Sequence, residues 1–239
     1  MKISIMTLFP KMFENFMNES LIGKAVEKKI LNIDVFNIRD YTKQKSNSVD
    51  DYVYGGGSGM LMMAQPIVDC YKSITKSKKV STYYLSPKGK LFSQEMAVEL
   101  SKLDEIVFLC GHYEGVDERA IEIIGAKSIS IGDYVLTGGE LPCMIIIDAI
   151  ARFIKGVLSN EESTLDESFR NYLLEYPQYT RPYEYEGLKV PDILISGDHE
   201  KVKKWRLDKS IEITKACRPD LYKKYLENNW FGGYYEYYY

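Results

Sequence analysis

The first 158 residues alternate between two hydrophobic periods, and this alternation limits the possible folds more than any other feature of the chain. Short apolar runs are separated by longer segments whose apolar side chains recur every three or four residues, the spacing along one face of a helix. Residues 106–110 form an apolar run without a polar face, so a strand there must be covered on both sides. The alternation predicts an α/β fold, with a mainly parallel sheet and helices on both of its faces.

The predicted elements follow one another without an internal repeat. Strands are predicted at residues 2–9, 31–38, 80–85, 106–110 and 128–131. Helices are predicted at residues 10–29, 65–75, 94–102, 118–125 and 144–158. Ser93 and Asp117 each precede one of these helices and have side chains that can cap its N-terminus. Residues 39–60 are polar and then rich in glycine, which predicts a long loop.

The composition changes at residues 159–171 to serine, asparagine and acidic residues with little apolar content, which predicts a linker. A tyrosine-rich stretch and basic helices follow it. We therefore expect a larger domain at residues 1–158 and a smaller, helical domain at residues 172–239. The total of 239 residues is sufficient for a domain of ordinary size and a small one.

The composition disfavours several classes of protein. No apolar run approaches the ~20 residues that a bilayer crossing requires, and the N-terminus has no signal-peptide pattern. We therefore expect a soluble, cytoplasmic protein that has no membrane partner. The four cysteines form no C-x-x-C pair, and the chain has only two histidines, so we expect neither a protein-held metal site nor a disulfide.

Charge is distributed unevenly along the chain. The net charge of −3 does not suggest a nucleic-acid partner, but residues 199–226 hold nine lysines and arginines against four acidic residues. Lys201, Lys203 and Lys204 lie near the start of this basic segment. Charge alone leaves two interpretations open: a patch that faces RNA phosphates, or a solvated helix face.

Three glycine-containing segments, residues 85–89, 110–115 and 131–142, each follow a predicted strand. In an open parallel sheet, ligands bind beyond the carboxyl ends of the strands, where loops supply backbone hydrogen-bonding groups. Each segment alone could be a plain turn, whereas the three together predict a shared pocket. Residues 55–59 (GGGSG) match neither the dinucleotide-binding nor the triphosphate-binding pattern. They are either a flexible turn or a loop whose backbone approaches a flat ligand.

Four charged residues outside these loops are candidates for chemistry. Asp148 and Arg152 lie four residues apart in the apolar segment 144–158, so they are either an ion pair on one helix face or groups that meet a ligand. Asp166 and Glu167 lie in the predicted linker. They are either solvated or, at a domain junction, able to act as a general base.

At the glycine segments the sequence resembles a known family. Residues 54–63 (YGGGSGMLMM), 110–115 (CGHYEG), 131–142 (IGDYVLTGGELP) and 179–182 (YTRP) are similar to segments of the bacterial tRNA (guanine-N1)-methyltransferases (TrmD), members of the knotted SPOUT class. The resemblance runs from residue 3 to about residue 225. It implies a trefoil knot in the second half of the first domain, whose loops hold a bent S-adenosylmethionine. It also implies homodimers with active sites at the subunit interface.

The implied substrate is the guanosine immediately 3′ of the anticodon in tRNA, which the second domain helps to grip, and the implied metal is Mg²⁺ that supports methyl transfer. The resemblance places Glu114 at the target base. We also expect Gly57 to bind the substrate, and the charge asymmetry predicts that Lys201, Lys203 and Lys204 bind tRNA. The implied cofactor-binding residues are Tyr84, Leu85, Ser86, Pro87, Gly89, Gly111, Tyr113, Gly115, Ile131, Gly132, Asp133, Tyr134, Val135, Leu136, Gly138, Gly139 and Pro142.

The chemistry of the implied reaction requires two further groups. Guanine N1 carries a proton and is a poor nucleophile, so a base must remove this proton, and a guanidinium near O6 would stabilise the negative charge that develops. Arg152 matches the family's arginine for the O6 role. Glu167 stands where the family usually has an aspartate as the base, and Asp166 precedes it. Both carboxylates remain candidates, and Glu167 is favoured because it keeps the register of the following Ser168 and Phe169.

This chain also departs from the family at other positions. Lys88 stands where glutamine is common, His112 where arginine is common, and Ile213 and Ala216 where the family has basic residues.

Two alternative functions remain open. A knotted methyltransferase acting on another RNA would share the cofactor loops but has no reason to carry residues 54–63 or 179–182. A non-catalytic RNA-binding module would not bind S-adenosylmethionine.

Overall fold

The structure is a computed structural model, and it describes residues 1–158 and 167–230. The chain divides into two compact units, Met1–Ser159 and Asn160–Tyr239. The predicted linker, residues 159–171, falls largely on residues 159–166, which lie outside the described part. Within the described ranges, no helix combines the length and the hydrophobicity that a bilayer crossing needs.

The first unit is built on a five-stranded parallel sheet. Its strands are β1 (Lys2–Thr7), β2 (Asn32–Asn37), β5 (Ser81–Leu91), β6 (Glu105–Cys110) and β7 (Lys127–Ser130). Their order across the sheet is β2-β1-β6-β5-β7. Each coincides with a predicted strand, except that β5 continues beyond the predicted end at residue 85. The extension arises because Leu85 and Lys90 both pair with Ile129, so the intervening segment leaves the ladder and then returns to it.

Helices cover both faces of this sheet, which confirms the predicted α/β architecture. They are α1 (Glu14–Asn18), α2 (Ser20–Glu27), α3 (Ala64–Thr75), α4 (Gln94–Ser101), α5 (Glu118–Ile124) and α6 (Glu140–Ala151). Apolar residues of α2, α4 and α6 form one core cluster with the sheet, and those of α3 and α5 form a second cluster with it. The predicted caps are present, because the Ser93 side chain accepts from the Met96 N–H and that of Asp117 accepts from the Arg119 N–H.

The single helix predicted at residues 10–29 is wrong. The segment forms a 3₁₀ turn at Pro10–Phe13, followed by α1 and α2, and the chain is extended at Glu19 between the two helices. The break lets α2 start tightly against the end of α1: a Cβ on Gly23 would lie 2.5 Å from the Asn18 carbonyl carbon. Hydrophobic periodicity continues through such a break, so the pattern does not reveal it.

The long loop predicted at residues 39–60 is also wrong in part. It contains a 3₁₀ turn at Ile38–Tyr41 and the antiparallel hairpin of β3 (Asp50–Tyr52) and β4 (Met60–Met62). β4 is held by the distant loop that follows β6, because Glu114 N–H donates to the Met60 carbonyl at 2.9 Å and Met62 N–H donates to the Gly115 carbonyl at 3.0 Å. The glycine-rich residues are therefore the connection of a hairpin.

Helix α6 occupies Glu140–Ala151 rather than the predicted residues 144–158. It begins earlier because the Gly139 carbonyl already accepts a helical hydrogen bond from the Cys143 N–H at 3.0 Å. After Ala151 the backbone tightens into three-residue turns, with Phe153 N–H donating to the Ile150 carbonyl. Arg152 is therefore the residue at the C-terminal end of the helix and not a residue of its interior.

The second unit is mainly helical and is described from Glu167 to Trp230. It contains 3₁₀ turns at Arg170–Tyr172 and Asp192–Ile195, a short hairpin of β8 (Glu184–Tyr185) and β9 (Leu188–Lys189), and the helices α7 (His199–Cys217) and α8 (Pro219–Trp230). Asp198 caps α7 by accepting from the Lys201 N–H. The fully buried Thr214 hydroxyl accepts from the Leu174 N–H at 2.7 Å and so ties α7 to the preceding irregular segment.

Candidate active site

The three glycine-containing loops come together around one cavity of about 420 Å³ in the first unit. One loop interrupts β5 between Leu85 and Lys90, and the other two leave β6 and β7 at their carboxyl ends. The three lie close together because β6 and β7 are the parallel neighbours of β5. This is the edge at which open parallel sheets bind ligands. The volume lies within the range of small-molecule sites, roughly 300–1,000 Å³.

Most of the cofactor-binding residues expected from the sequence line this cavity; Gly89 and Asp133 do not. Gly89 instead lies against β7, where a Cβ on it would be 2.3 Å from the Ile129 nitrogen. It belongs to the segment that leaves and rejoins the ladder of β5, so its contribution is to let two backbones approach closely. Glu114, expected at the target base, also lines the cavity.

The Tyr84 side chain lies at the base of the cavity and restricts the loop after β6. A Cβ on Gly111 would be 2.8 Å from Tyr84 Cε2, so only glycine fits there without displacing the ring. Burial raises the pKa of the Tyr84 phenol above its ordinary value. The phenol therefore stays protonated near neutral pH and acts as a hydrogen-bonding wall rather than as a base.

The start of α6 packs directly on the end of β6. Gly139 N–H donates to the Gly111 carbonyl at 3.0 Å, and a Cβ on Gly139 would be 2.7 Å from the Cys110 Cα. Cys110 and Cys143 are completely buried beneath this contact. Burial raises the pKa of the Cys110 thiol well above its usual range, so this thiol is a packing group and not a nucleophile.

The glycine-rich hairpin contacts the cavity residue Glu114 through Gly59, and Leu61 of its strand β4 lines the cavity. A Cβ on Gly59 would be 2.4 Å from Glu114 Oε1, so the carboxylate that was expected at the target base lies directly against this loop. Gly57, which we expect to bind the substrate, has open space around it and does not line the cavity. The hairpin thus contributes a wall beside Glu114, while its tip is exposed.

Several cavity residues were not identified from the sequence. They are Leu61, Lys88, His112, Val116, Glu118, Ile121, Ser128, Ile129, Ser130 and Thr137. Lys88, His112 and Thr137 lie inside the three glycine-containing segments, so these segments could have been used to predict them as cavity residues. Leu61 reaches the cavity only through the pairing of β4 with the loop after β6, for which the sequence carries no local signal.

A buried carboxylate at the cavity edge was also missed. Glu140 is 1% exposed and accepts a hydrogen bond from the Thr7 hydroxyl at 2.6 Å. Its second oxygen lies 2.7 Å from His112 Nε2. The Phe9 ring packs on the imidazole with a centroid separation of 4.6 Å. These contacts join the end of β1, the loop after β6 and the start of α6.

None of the expected catalytic residues belongs to the three loops in sequence. Arg152 is at the end of α6 opposite Gly139; the rise per residue puts about 20 Å of helix between the two residues. Arg152 is half-buried and does not line the cavity. Glu167 belongs to the second unit and is half-buried, and Asp166 lies outside the described residues.

The expected RNA-facing lysines lie on the first turns of α7. Lys201 Nζ is 2.8 Å from Asp198 Oδ2, and Lys203 Nζ is 3.7 Å from Glu200 Oε1. The side chains of both lysines are largely exposed, and such surface pairs contribute little to stability, so the pairing leaves the lysines able to exchange partners. Farther along α7, the Arg206 guanidinium lies 4.8 Å from the centre of the Tyr176 ring.

Within residues 1–158 and 167–230, no three His, Cys, Asp or Glu side chains gather in a way that could hold a metal ion. The Mg²⁺ that the resemblance implies therefore has no ready ligand set in the described part of the protein. A Mg²⁺ ion bound partly by RNA phosphates would not need a complete set of protein ligands.

Known proteins are similar to this chain over almost its whole length. The model of the family described as tRNA (Guanine-1)-methyltransferase TrmD matches residues 1–224, which include the whole cavity and most of the second unit. The chain belongs to this methyltransferase family.

Individual relatives agree with the family match. A tRNA (guanine-N(1)-)-methyltransferase of Clostridium botulinum (strain Kyoto / Type A2) is 59% identical over 225 residues, covering 94% of this chain and 93% of the relative. Proteins with the same name from Clostridioides difficile (strain 630) and Ruminiclostridium cellulolyticum are 55% and 53% identical. The first covers 94% of this chain and 98% of the relative, and the second covers 96% and 99%.

Membership of a methyltransferase family implies a methyl donor, and the cavity offers what such a ligand needs. Its walls combine apolar side chains such as Leu85, Val135 and Leu136 with backbone groups exposed at glycines. Side chains of this kind surround most small-molecule ligands, while a few polar groups fix the orientation. The residues present therefore fit a methyl-donor cofactor of small-molecule size.

Proposed function

We propose that this methyltransferase binds S-adenosylmethionine in the cavity and transfers the methyl group to N1 of the guanosine immediately 3′ of the anticodon in tRNA. The observation that carries the proposal is the convergence of the three glycine-containing loops around the 420 Å³ cavity, in a chain whose family acts on tRNA guanine. Tyr84, Leu85, Gly111, Ile131 and Gly139 are among the residues proposed to hold the cofactor.

We also propose that the cavity is built by a trefoil knot in the second half of residues 1–158. Two features of the fold support it. The segment between Leu85 and Lys90 leaves β5 and rejoins it beside β7. The chain that follows β7 then returns across the end of β6, where Gly139 contacts Cys110 and Gly111. A knot would hold these three loops together more rigidly than separate turns could.

The mechanism requires the chain to prepare the guanine for attack. Bound S-adenosylmethionine supplies a methyl group on a cationic sulfur, so formation of the N1–CH₃ bond is matched by cleavage of the S–CH₃ bond to a neutral thioether. Glu167, or Asp166 in its place, takes the N1 proton, a step typically worth about 10²–10⁴ in rate. Arg152 stabilises the negative charge that develops on O6, and Glu114 contacts the target base.

A homodimer with shared active sites is part of the proposal, and two observations support it. Arg152 is about 20 Å along α6 from Gly139, too far for its side chain to reach the cavity of its own chain. The first half of α6 leaves Leu141 and Ile145 about half exposed, and Val135 beside it is 87% exposed. A second copy covering this apolar surface would bury it and could bring its own Arg152 to the cavity.

We assign the second unit, with its basic helix α7, to tRNA binding, and propose domain limits of 1–158 for the cofactor domain, 159–171 for the linker and 172–239 for the RNA-binding domain. Lys201, Lys203 and Lys204 would then contact phosphates. A tRNA substrate is consistent with the cytoplasmic location that we expect for this protein.

The test is methyl transfer from labelled S-adenosylmethionine to two unmodified tRNA transcripts that differ only at the base 3′ of the anticodon. Label should enter the transcript with guanosine there and not the one with adenosine, and nuclease digestion should recover it as 1-methylguanosine. Equal labelling of both, or labelling of ribosomal RNA instead, would assign another RNA target. If calorimetry detected no binding of S-adenosylmethionine, the result would favour the alternative function, a non-catalytic RNA-binding module.

A further inference from the structure

The buried Glu140 carboxylate has a defined set of partners that the proposed mechanism does not use. It is the first residue of α6 and is 1% exposed, so its charge is removed from water at a helix N-terminus, where the helix dipole favours an anion. A buried carboxylate of this kind is retained only where each oxygen finds a donor. Thr7 and His112 supply the two donors.

The direction of these hydrogen bonds follows from the chemistry of the donors. The Phe9 N–H can only donate, and it donates to the Thr7 hydroxyl oxygen at 2.9 Å. The single Thr7 hydroxyl proton is then directed to Glu140 Oε1 at 2.6 Å. The helix N-terminus favours a carboxylate without a proton of its own, so at the second oxygen we assign the donor role to the His112 Nε2–H, over 2.7 Å. The carboxylate thereby selects the ring form that carries a proton on Nε2.

The His112 ring is held on other sides as well. Phe9 packs against it, and a Cβ on Gly138 would lie 2.3 Å from Nε2, so the backbone of the loop before α6 covers that edge. The His112 backbone N–H donates to the Met62 sulfur of β4 at 3.2 Å. The same residue lines the cavity. These contacts fix the His112 side chain in the cavity wall before a ligand binds.

We propose that Glu140 and Thr7 are positioning residues that act through His112: they fix the imidazole in its Nε2–H form as a preformed part of the cofactor cavity. The inference rests on the proposed function, because it concerns the affinity of the same cavity for S-adenosylmethionine. Because His112 is already ordered, cofactor binding does not lose the conformational entropy of fixing this side chain. The network should therefore act on cofactor binding more than on the methyl-transfer step.

The first experiment measures the Kd for S-adenosylmethionine and S-adenosylhomocysteine by calorimetry, together with KM and kcat in tRNA methylation. For Glu140→Gln we expect the cofactor Kd and KM to rise about fivefold to tenfold, the effect of removing one hydrogen bond, with kcat and the KM for tRNA little changed. Glu99→Gln, the same substitution at an exposed position of α4, is the matched control and should behave as the unaltered protein. Unchanged Kd values in Glu140→Gln would overturn the proposal.

A second pair of variants keeps the test independent of folding defects at Glu140. Thr7→Val removes the donor to Oε1 while keeping the side-chain shape, and should weaken cofactor binding in the same direction as Glu140→Gln. Thr7→Ser keeps the hydroxyl and should restore the normal Kd. A general packing defect would instead make the serine variant at least as poor as the valine variant, and that result would also overturn the proposal.

The third readout is the ¹⁵N spectrum of the histidine rings, which is simple because the chain has only two histidines, His112 and His199. His199 is exposed in the second unit, and His199→Gln assigns its signals. His112 should show a protonated Nε2 in the unaltered protein, shift when S-adenosylmethionine is added, and lose this single form in Glu140→Gln. An unprotonated Nε2 would contradict the inference, whereas failure of the unaltered protein to bind S-adenosylmethionine would contradict the proposed function itself.

Discussion

The backbone N–H of Gly139 donates to the carbonyl oxygen of Gly111 at 3.0 Å, so the first residue before α6 is hydrogen-bonded to the first residue after β6. This bond joins two of the three loops that surround the cavity. It is possible only because both residues lack a side chain: a Cβ on Gly139 would meet the Cys110 Cα at 2.7 Å, and one on Gly111 would meet the Tyr84 ring at 2.8 Å. The cavity therefore depends on backbone approach at a place where three elements meet.

Replacing Gly139 by valine should abolish S-adenosylmethionine binding, because its side chain would push the loop before α6 away from β6. Single-turnover methyl transfer should fall by about 10² or more, as expected when reacting groups are displaced by an ångström. Calorimetry and rapid-quench assays measure the two effects. Gly187→Ala, at a turn with open space in the second unit, is the control and should leave cofactor binding intact. Normal binding by Gly139→Val would remove the cofactor from these loops.

Replacing Lys201, Lys203 and Lys204 together by glutamine should weaken tRNA binding and flatten its dependence on salt. Removing a single lysine–phosphate interaction reduces the slope of log K against log[salt] by about 0.7–0.9. Free S-adenosylmethionine should bind as before. The control variant replaces Lys76, Lys78 and Lys79, three exposed lysines of the first unit, by glutamine and so removes the same amount of charge. If both triple variants gave the original slope, the basic face of α7 would be a solvated surface.

Two inactive variants, Glu114→Gln and Arg152→Ala, should complement each other when mixed after unfolding and refolding. A site that takes Glu114 from one protomer and Arg152 from its partner is intact once in every mixed dimer. An equal mixture should therefore recover about a quarter of the original activity, because half of the dimers are mixed and each has one of two sites. Sedimentation at the assay concentration checks the dimer, and an active monomer would contradict the shared site.

The base is tested by single-turnover methyl transfer with Glu167→Gln and Asp166→Asn at saturating tRNA and cofactor. Loss of the group that takes the N1 proton should cost about two or more orders of magnitude in the chemical step. We expect this loss for Glu167→Gln and a mild effect for Asp166→Asn, because Glu167 keeps the register of the following Ser168 and Phe169. The opposite result would make Asp166 the base, and two mild effects would exclude both carboxylates.

Much of the fold and of the site could be predicted from local patterns. The strands, the caps at Ser93 and Asp117, and the glycine loops within β5 and after β6 and β7 each depend on a short stretch of sequence. Parallel strands then place their carboxyl ends at one edge without further information. For this reason most of the expected cofactor residues line the same cavity, although no single segment predicts a pocket.

Other features were decided only by tertiary contacts. The break at Glu19 and the start of α6 at Glu140 interrupt or shift helices whose hydrophobic pattern continues unchanged. The Thr7–Glu140 hydrogen bond joins residues that are 133 positions apart, and β4 is held by a loop more than fifty residues later in the chain. Hydrophobic periodicity and capping report what a segment prefers by itself. Which carboxylate is buried, and which ring it orients, is decided when distant segments compete for the same hydrogen-bonding groups in the folded chain.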